Sequence, residues 1–98
     1  MHHLLCYDYA DDYTERREQF RSEHLKLAWE SVERGELMLA GTVGEPIDSA
    51  ILVFTIDTPA VAEAFAKADP YVLNGLVKNW TVRKWHTVVG ALASNPVH

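Results

Sequence analysis

The chain of 98 residues is sufficient for one domain, and its 48% hydrophobic and 10% aromatic residues predict a packed core. The net charge of −5 argues against nucleic acid or an anionic membrane as partner, because both require a concentrated basic surface. The single cysteine, Cys6, fits a reducing compartment, where it is either a small buried hydrophobe or a reactive thiol. No apolar run approaches the ~20 residues that span a bilayer. We therefore predict one cytoplasmic domain over residues 1–98, the last few forming a loose tail.

The first elements predicted are a strand and a long helix. His3–Tyr9 is a short apolar and aromatic run, which is typical of a strand, and acidic residues mark the turn after it. The residues that follow are rich in helix formers and contain no glycine or proline before Gly35. This composition predicts one long helix, which Asp11 or Asp12 caps and Gly35 ends.

Two strands and a helix are predicted in the middle of the chain. Residues 36–43, ELMLAGTV, favour a strand that leads into a turn at Gly41–Pro46. Ala50–Ile56 is the most apolar stretch and is rich in β-branched residues, so it predicts a central strand. Asp57 or Thr58 then caps a second helix, because the proline that follows fits the first helical turn.

The last third of the chain predicts a helix end, a short helical turn and a final strand. The second helix runs to Ala68, because Asp69 precedes Pro70 and a residue before proline is disfavoured in the helical region. A turn of helix follows and ends at Gly75. Residues 76–90, LVKNWTVRKWHTVVG, alternate as a strand would.

The predicted order β-α-β-β-α-β defines the fold class as α+β and ferredoxin-like. Four antiparallel strands form the sheet of such a fold, and two main helices cover one of its faces. The last strand alternates, with Trp80 and Val82 on one face and Arg83 and Trp85 on the other. The uncovered face must be hidden, and we predict that a second copy of the chain hides it in a homodimer.

His24 is the first candidate for chemistry, because it lies in the middle of a stripe at helical spacing. The stripe has steps of three and four residues and consists of Tyr13, Arg17, Phe20, His24, Leu27 and Ser31. Histidine titrates near neutrality and can give or take a proton, provided that its other ring nitrogen is oriented. A half-buried histidine that hydrogen-bonds a backbone carbonyl is the alternative, and composition favours it.

Asp69 is the second candidate. An aspartate before a proline at the start of a helical turn is a good N-cap, and capping alone explains the residue. The two roles are compatible, because a carboxylate has two oxygens that can accept different donors. One oxygen can accept a backbone N–H while the other faces a histidine.

The remaining motifs give weaker evidence for a functional site. His2 and His3 point to opposite faces of a strand and cannot form a metal pair, and no His or Cys cluster has zinc spacing. The glycines near residues 41–44 lack the patterns that bind phosphates. Asp8, at a strand end, is either a solvated loop residue or part of a pocket rim. We predict neither a metal nor another cofactor.

Several short motifs, in this order and spacing, resemble the YciI-like (YCII-related) family along nearly the whole chain. The matching segments are Tyr7-Asp8, Arg17, Arg21-x-x-His24-Leu25, Gly35-Glu36-Leu37, Ala40-Gly41, Ala68-Asp69-Pro70-Tyr71, Gly75-Leu76 and Val82-Arg83-Lys84-Trp85. Thr42 stands where a proline commonly follows Ala-Gly, and the segment Val43–Ser49 is short. Both differences lie near the expected pocket, so the substrate class does not carry over.

The resemblance implies a dimeric α+β barrel with an active site built on a histidine and an aspartate, here His24 and Asp69. Most members have no assigned reaction, although a related one resembles a dehydrochlorinase. We predict that Arg21, Arg17, Asp8 and Tyr71 bind the substrate.

Three functions remain open. The first is a cofactor-free enzyme for a small organic molecule, in which His24 is the general acid or base for elimination or isomerisation and Asp69 orients it. The second is a non-catalytic module that binds a small molecule in the same pocket. The third is an accessory dimer in which both residues only cap and pack. The first fails if the two side chains lie far apart with no shared cavity.

Overall fold

A four-stranded antiparallel sheet carries three helices on one face in the computed structural model, which describes residues 1–98. The elements in chain order are β1 (His2–Tyr9), α1 (Tyr13–Glu33), β2 (Leu37–Val43), β3 (Ser49–Thr55), α2 (Ala60–Ala68), α3 (Pro70–Leu73) and β4 (Val77–Trp85). The strand order across the sheet is β2-β3-β1-β4. The predicted ferredoxin-like α+β fold is therefore confirmed.

The core lies between the sheet and the helices. Leu5 on β1 is opposite Leu52 on β3 and Val82 on β4, so the three side chains share one face of the sheet. Leu5 and Leu52 are almost fully buried, and Val82 is half-buried against the same cluster. The stripe predicted on α1 lies on the buried side of that helix, and it runs from buried Tyr13 to buried Ser31.

The helices begin and end close to the predicted residues, but not every predicted capping bond forms. Gly35 has φ of +76°, and the N–H groups of Gly35 and Glu36 bond back to carbonyls of the last turn of α1, as its predicted role requires. Asp12 stands at the N-terminus of α1 but its side chain makes no capping bond. Its carboxylate lies instead 3.6 Å from Arg16 on the next turn. At α2, Pro59 stands at the N-cap in place of the predicted Asp57 or Thr58, and the Thr58 hydroxyl accepts the Ala60 N–H at 3.3 Å.

Two predicted boundaries were wrong. The turn after β2 does not begin at Gly41, which pairs with Ile51 as an ordinary strand residue. The chain reverses at Gly44, whose φ of +102° and close approach to a backbone carbonyl leave no room for a side chain. The last strand ends at Trp85 rather than at residue 90, because Trp85 pairs with His2, the first residue of β1.

The second face of the sheet is the one opposite the helices. Leu39, Ile51 and Trp85 point to it and are 68%, 40% and 45% exposed. The half-buried Cys6 also lies on this face. Apolar side chains therefore remain accessible there in the single chain.

The segment after β4 folds back on the start of β1. The Thr87 hydroxyl lies 2.7 Å from Nδ1 of buried His2, and the Ser94 hydroxyl lies 3.0 Å from the same nitrogen. The Ser94 N–H donates to the Thr87 hydroxyl at 2.9 Å. A buried polar cluster thus ties the end of the chain to its beginning.

Candidate active site

Asp69 is held in place by its own backbone. It stands between α2 and α3 with extended φ and ψ of −70° and 122°, the conformation that the residue before Pro70 prefers. Its Oδ1 accepts the Tyr71 N–H at 3.0 Å, which makes it the predicted N-cap of α3. The side chain is completely buried, so its rotamer is fixed by packing as well as by the cap.

Two further donors converge on the same carboxylate from other elements. The Tyr7 phenol on β1 donates to Oδ2 at 2.7 Å. Nδ1 of His24 on α1 lies 2.8 Å from Oδ1 and 3.0 Å from Oδ2. Because an ionised carboxylate only accepts hydrogen bonds, the proton of the neutral imidazole must be on Nδ1. Asp69 therefore joins β1, α1 and α3 at one point.

The imidazole of His24 is oriented on two sides. The ring stacks on Tyr71 with centroids 4.0 Å apart and planes 9° from parallel. With Nδ1–H directed at Asp69, the opposite nitrogen Nε2 carries a free lone pair. The side chain is 15% exposed and lines a cavity, so a molecule in the cavity can reach it. An aspartate that fixes the tautomer and orientation of a histidine is the arrangement that general bases use.

The phenols around the pair stay protonated. Burial raises the pKa of Tyr7 far above its usual range, and the charge of Asp69 raises it further. Burial also raises the pKa of Tyr9, with the neighbouring Tyr13 phenol as the next cause. Burial, followed by the effect of Tyr13, raises the pKa of Tyr71 to about 12. At neutral pH these groups are therefore neutral hydrogen-bond donors.

The cavity next to His24 has a volume of about 480 Å³ and lies between α1 and β2. This volume is in the range of small-molecule sites. Its polar half contains Tyr9, Tyr13, Arg17, Arg21, His24 and Tyr71. Its apolar half contains Leu25, Ala28, Trp29, Val32 and residues 37–40 of β2. His24 lies where the two halves meet.

The structure brings most of the predicted site residues together. His24 and Asp69 are in direct contact, and Arg17, Arg21 and Tyr71 line the cavity with His24. Asp8 does not belong to this group. Strand alternation points Tyr7 and Tyr9 toward the helices and Asp8 to the second face of the sheet, where it is exposed. We therefore remove Asp8 from the residues proposed to contact a ligand in this cavity.

Three tyrosines were missed by the sequence analysis. Tyr7 bonds Asp69, while Tyr9 and Tyr13 stack at 3.6 Å with planes 8° apart and line the cavity. The alternation of β1 carried the signal for the first two, because Tyr7 and Tyr9 must share the core face with Leu5. Aromatic residues in a short strand more often pack in the core, so the hydroxyl groups of these tyrosines were not considered as part of the site.

The other histidines near the start of the chain have structural partners. His2 bonds the Thr87 hydroxyl, and Nδ1 of His3 lies 3.1 Å from the Ile56 carbonyl oxygen. No group of three or more His, Cys, Asp or Glu side chains is arranged to hold a metal ion. No helix has the length and apolarity that crossing a membrane requires.

The fold and this site define a ferredoxin-like α+β domain with a histidine–aspartate pair beside a cavity. The YCII-related domain model matches residues 1–86, and the chain therefore belongs to the YCII-related family. No curated protein matches the sequence significantly.

A solved structure supports the fold. It is 5-chloro-2-hydroxyhydroquinone dehydrochlorinase (TftG) from Burkholderia phenoliruptrix AC1100, in complex with 2,5-dihydroxybenzoquinone. The two chains superpose with a TM-score of 0.73 at 15% sequence identity, and the match covers 89% of this chain and 95% of that one. At this sequence identity, the comparison shows that the two chains share a fold and shows nothing further.

Proposed function

We propose that the protein is an enzyme that acts on a small organic molecule by acid–base chemistry of His24 and Asp69, without a cofactor. The single observation that carries the proposal is the contact between Nδ1 of His24 and the buried carboxylate of Asp69, at 2.8 Å. That contact leaves Nε2 free at the cavity wall. The dehydrochlorinase fold of the solved relative is consistent with the same class of reaction.

The proposed step is removal of a proton from a carbon next to a carbonyl. Nε2 of His24 takes the proton, and the electron pair of the broken C–H bond forms an enolate. The guanidinium groups of Arg17 and Arg21 line the same cavity and would stabilise the enolate oxygen. The enolate then either expels a leaving group, which departs with its electron pair, or regains the proton at another carbon. These outcomes are elimination and isomerisation.

Asp69 and Tyr7 support this step without contacting the substrate. Asp69 stabilises the imidazolium that forms when Nε2 takes the proton, as the carboxylate of a catalytic triad does. Tyr7 donates to the second oxygen of Asp69 at 2.7 Å and so limits rotation of the carboxylate. Tyr71 keeps the ring plane fixed by stacking on it.

Proton exchange tests the proposal directly. Small ketones, keto acids and hydroxyquinones are incubated with the protein in D₂O, and NMR follows loss of the proton next to the carbonyl. We expect catalysed exchange for at least one compound, and a loss on the order of 10²–10⁴-fold in His24→Ala. His98→Ala is the matched control, because His98 is an exposed histidine outside the cavity.

A non-catalytic binding module is the other candidate, because the cavity alone suffices for binding. Compounds that bind by calorimetry but undergo no exchange above the rate in buffer would favour it. Unchanged exchange in His24→Ala would contradict the assigned base.

A homodimer is the assembly that we propose. The support is the second face of the sheet, where Leu39, Ile51 and Trp85 remain exposed in the single chain. Light scattering after size-exclusion chromatography should give twice the chain mass of 11.1 kDa, and Ile51→Glu should shift it toward the monomer. A monomeric wild type at micromolar concentration would contradict the proposal. The cytoplasmic location stays a prediction.

A further inference from the structure

The cavity extends well beyond the histidine–aspartate pair. Its lining on α1 begins at Tyr13 and ends at Val32, which corresponds to about 28 Å of helix at 1.5 Å per residue. His24 lies near the middle of that length. A ligand that only reached His24 would leave one half of the cavity unfilled.

The polar half of the cavity contains two arginine side chains that can bind an anion. Arg17 and Arg21 are one turn apart on α1, and neither forms an ion pair with a carboxylate of the chain. Arg17 lies over the Tyr13 ring, 5.8 Å from its centroid, which restricts the guanidinium by a cation–π contact. Two cations without a carboxylate partner at one site, in a protein of net charge −5, favour a negatively charged ligand group.

The apolar half of the cavity is lined by hydrophobic side chains. Leu25, Ala28 and Val32 form its wall on α1, and residues 37–40 form its wall on β2. No charged side chain lines this half. Trp29 stands at its edge and is 63% exposed, so a large apolar side chain is available to a ligand.

We infer that the ligand is an amphiphilic anion, with a carboxylate or phenolate head at Arg17 and Arg21 and a linear apolar tail in the apolar half. The reacting carbon would then lie at His24, between head and tail. The inference rests on the proposed function for the role of His24, whereas the two-part binding mode rests on the cavity alone. A second copy of the chain that covered only the apolar half would not account for the two arginines in the polar half, whereas an amphiphilic anion accounts for both halves.

Affinity along a homologous series tests the tail. Straight-chain carboxylates from acetate to decanoate are titrated by calorimetry, below the concentrations at which they form micelles. We expect affinity to rise by about fourfold for each added methylene while the chain fills the apolar half, and then to level off. An affinity that is independent of chain length would overturn the inference.

The head group is tested with matched probes. Nonyl trimethylammonium has the same alkyl tail as decanoate but a cation in place of the anion, and it should bind at least tenfold more weakly. Arg21→Gln should weaken all carboxylates by a similar factor. Lys26→Gln, which removes a charge from an exposed position of α1 outside the cavity, should change little. Equal binding of the cation and the anion would contradict the assignment of the head.

Two variants locate the tail. Trp29→Ala, at a largely exposed position, should weaken decanoate binding at least threefold and leave acetate unchanged. Ala28→Trp should fill the apolar half and abolish the dependence on chain length, whereas Ala64→Trp on the exposed side of α2 should retain it. If Trp29→Ala instead converts a dimer to a monomer and wild-type affinity does not depend on chain length, a second copy occupies the apolar half and the inference fails.

Both proposals can fail separately. Calorimetry does not require turnover, so a series without chain-length dependence leaves the acid–base proposal intact. A clear chain-length dependence without proton exchange would instead support an amphiphile-binding module.

Discussion

Replacing Asp69 separates its structural role from its role in orienting His24. Two substitutions are compared, Asp69→Ala and Asp69→Asn. Alanine removes the acceptor of all three hydrogen bonds, from Tyr7, His24 and the Tyr71 N–H. Asparagine has nearly the same shape and keeps one carbonyl oxygen, which can still accept the Tyr71 N–H and cap α3.

The magnitudes follow from the burial of the donors. The Tyr7 phenol and the Tyr71 N–H are buried, and a buried donor that loses its partner costs about 1–3 kcal/mol. His24 keeps some access to water, so losing its hydrogen bond to Asp69 costs less free energy. We therefore expect Asp69→Ala to lower the free energy of unfolding by about 3–5 kcal/mol. Asp69→Asn should cost about 1 kcal/mol, because its amide can donate to the phenol oxygen and to Nδ1.

The catalytic effect has the reverse pattern. In Asp69→Asn the amide donates to Nδ1, so the imidazole proton moves to Nε2 and the free lone pair no longer faces the cavity. Proton exchange should then fall by about a hundredfold or more, although most of the stability is retained. Urea denaturation followed by tryptophan fluorescence measures stability, and NMR in D₂O measures exchange.

Either of two outcomes would refute this reasoning. A cost of only about 1 kcal/mol for Asp69→Ala is the value of an ordinary N-cap, and it would mean that the bonds from Tyr7 and His24 add nothing. Full exchange activity in Asp69→Asn would show that the tautomer of His24 is not set by this carboxylate.

Three other predictions concern stability. Tyr7→Phe should lower the free energy of unfolding by about 1–2 kcal/mol in urea, because it removes the 2.7 Å bond to Asp69, and an unchanged value would contradict that role. Burial raises the pKa of Tyr7 above its ordinary 10.0, so the folded state keeps a proton that the unfolded state releases above about pH 10. Ionisation of Tyr7 should not affect the free energy of unfolding below that pH and should lower it above that pH. The fall with pH should be shallower in Tyr7→Phe, and equal slopes in the wild type and the variant would contradict this cause. Thr87→Val should cost about 1 kcal/mol and speed amide exchange in residues 86–98, since His2 keeps only the Ser94 hydroxyl. Unchanged amide protection would contradict the role of this polar cluster in holding the end of the chain.

Sequence periodicity is sufficient for the fold because it reflects burial directly. The stripe on α1 and the alternation of β4 each identify the side that packs on the core, and the structure buries those sides. Boundaries are harder, because they depend on pairing between distant segments. Gly41 and Gly44 look alike in the sequence, but only Gly44 adopts a positive φ. The end of β4 is set by where β1 begins, which no local pattern contains.

The site could be predicted only in part. The pairing of His24 with Asp69 follows from a family resemblance, since 45 positions separate the two residues and neither spacing nor propensity connects them. Asp8 was proposed as part of a pocket rim because it stands at a strand end, yet alternation places it on the opposite face. The cavity itself lies beside the buried stripe of α1, where Arg21, Leu25 and Ala28 face β2, and its existence depends on how far that helix stands from the strand.

The hydrogen bond from the Tyr71 N–H to Asp69 also provides a spectroscopic handle. The same Oδ1 accepts this backbone proton and lies 2.8 Å from Nδ1 of His24, so any redistribution of charge within the pair polarises the amide. In a ¹⁵N spectrum, the chemical shift of a single backbone resonance should therefore follow the titration of an imidazole on another element of the fold. The state of the proposed base can therefore be observed through the backbone amide of Tyr71, before any substrate is known.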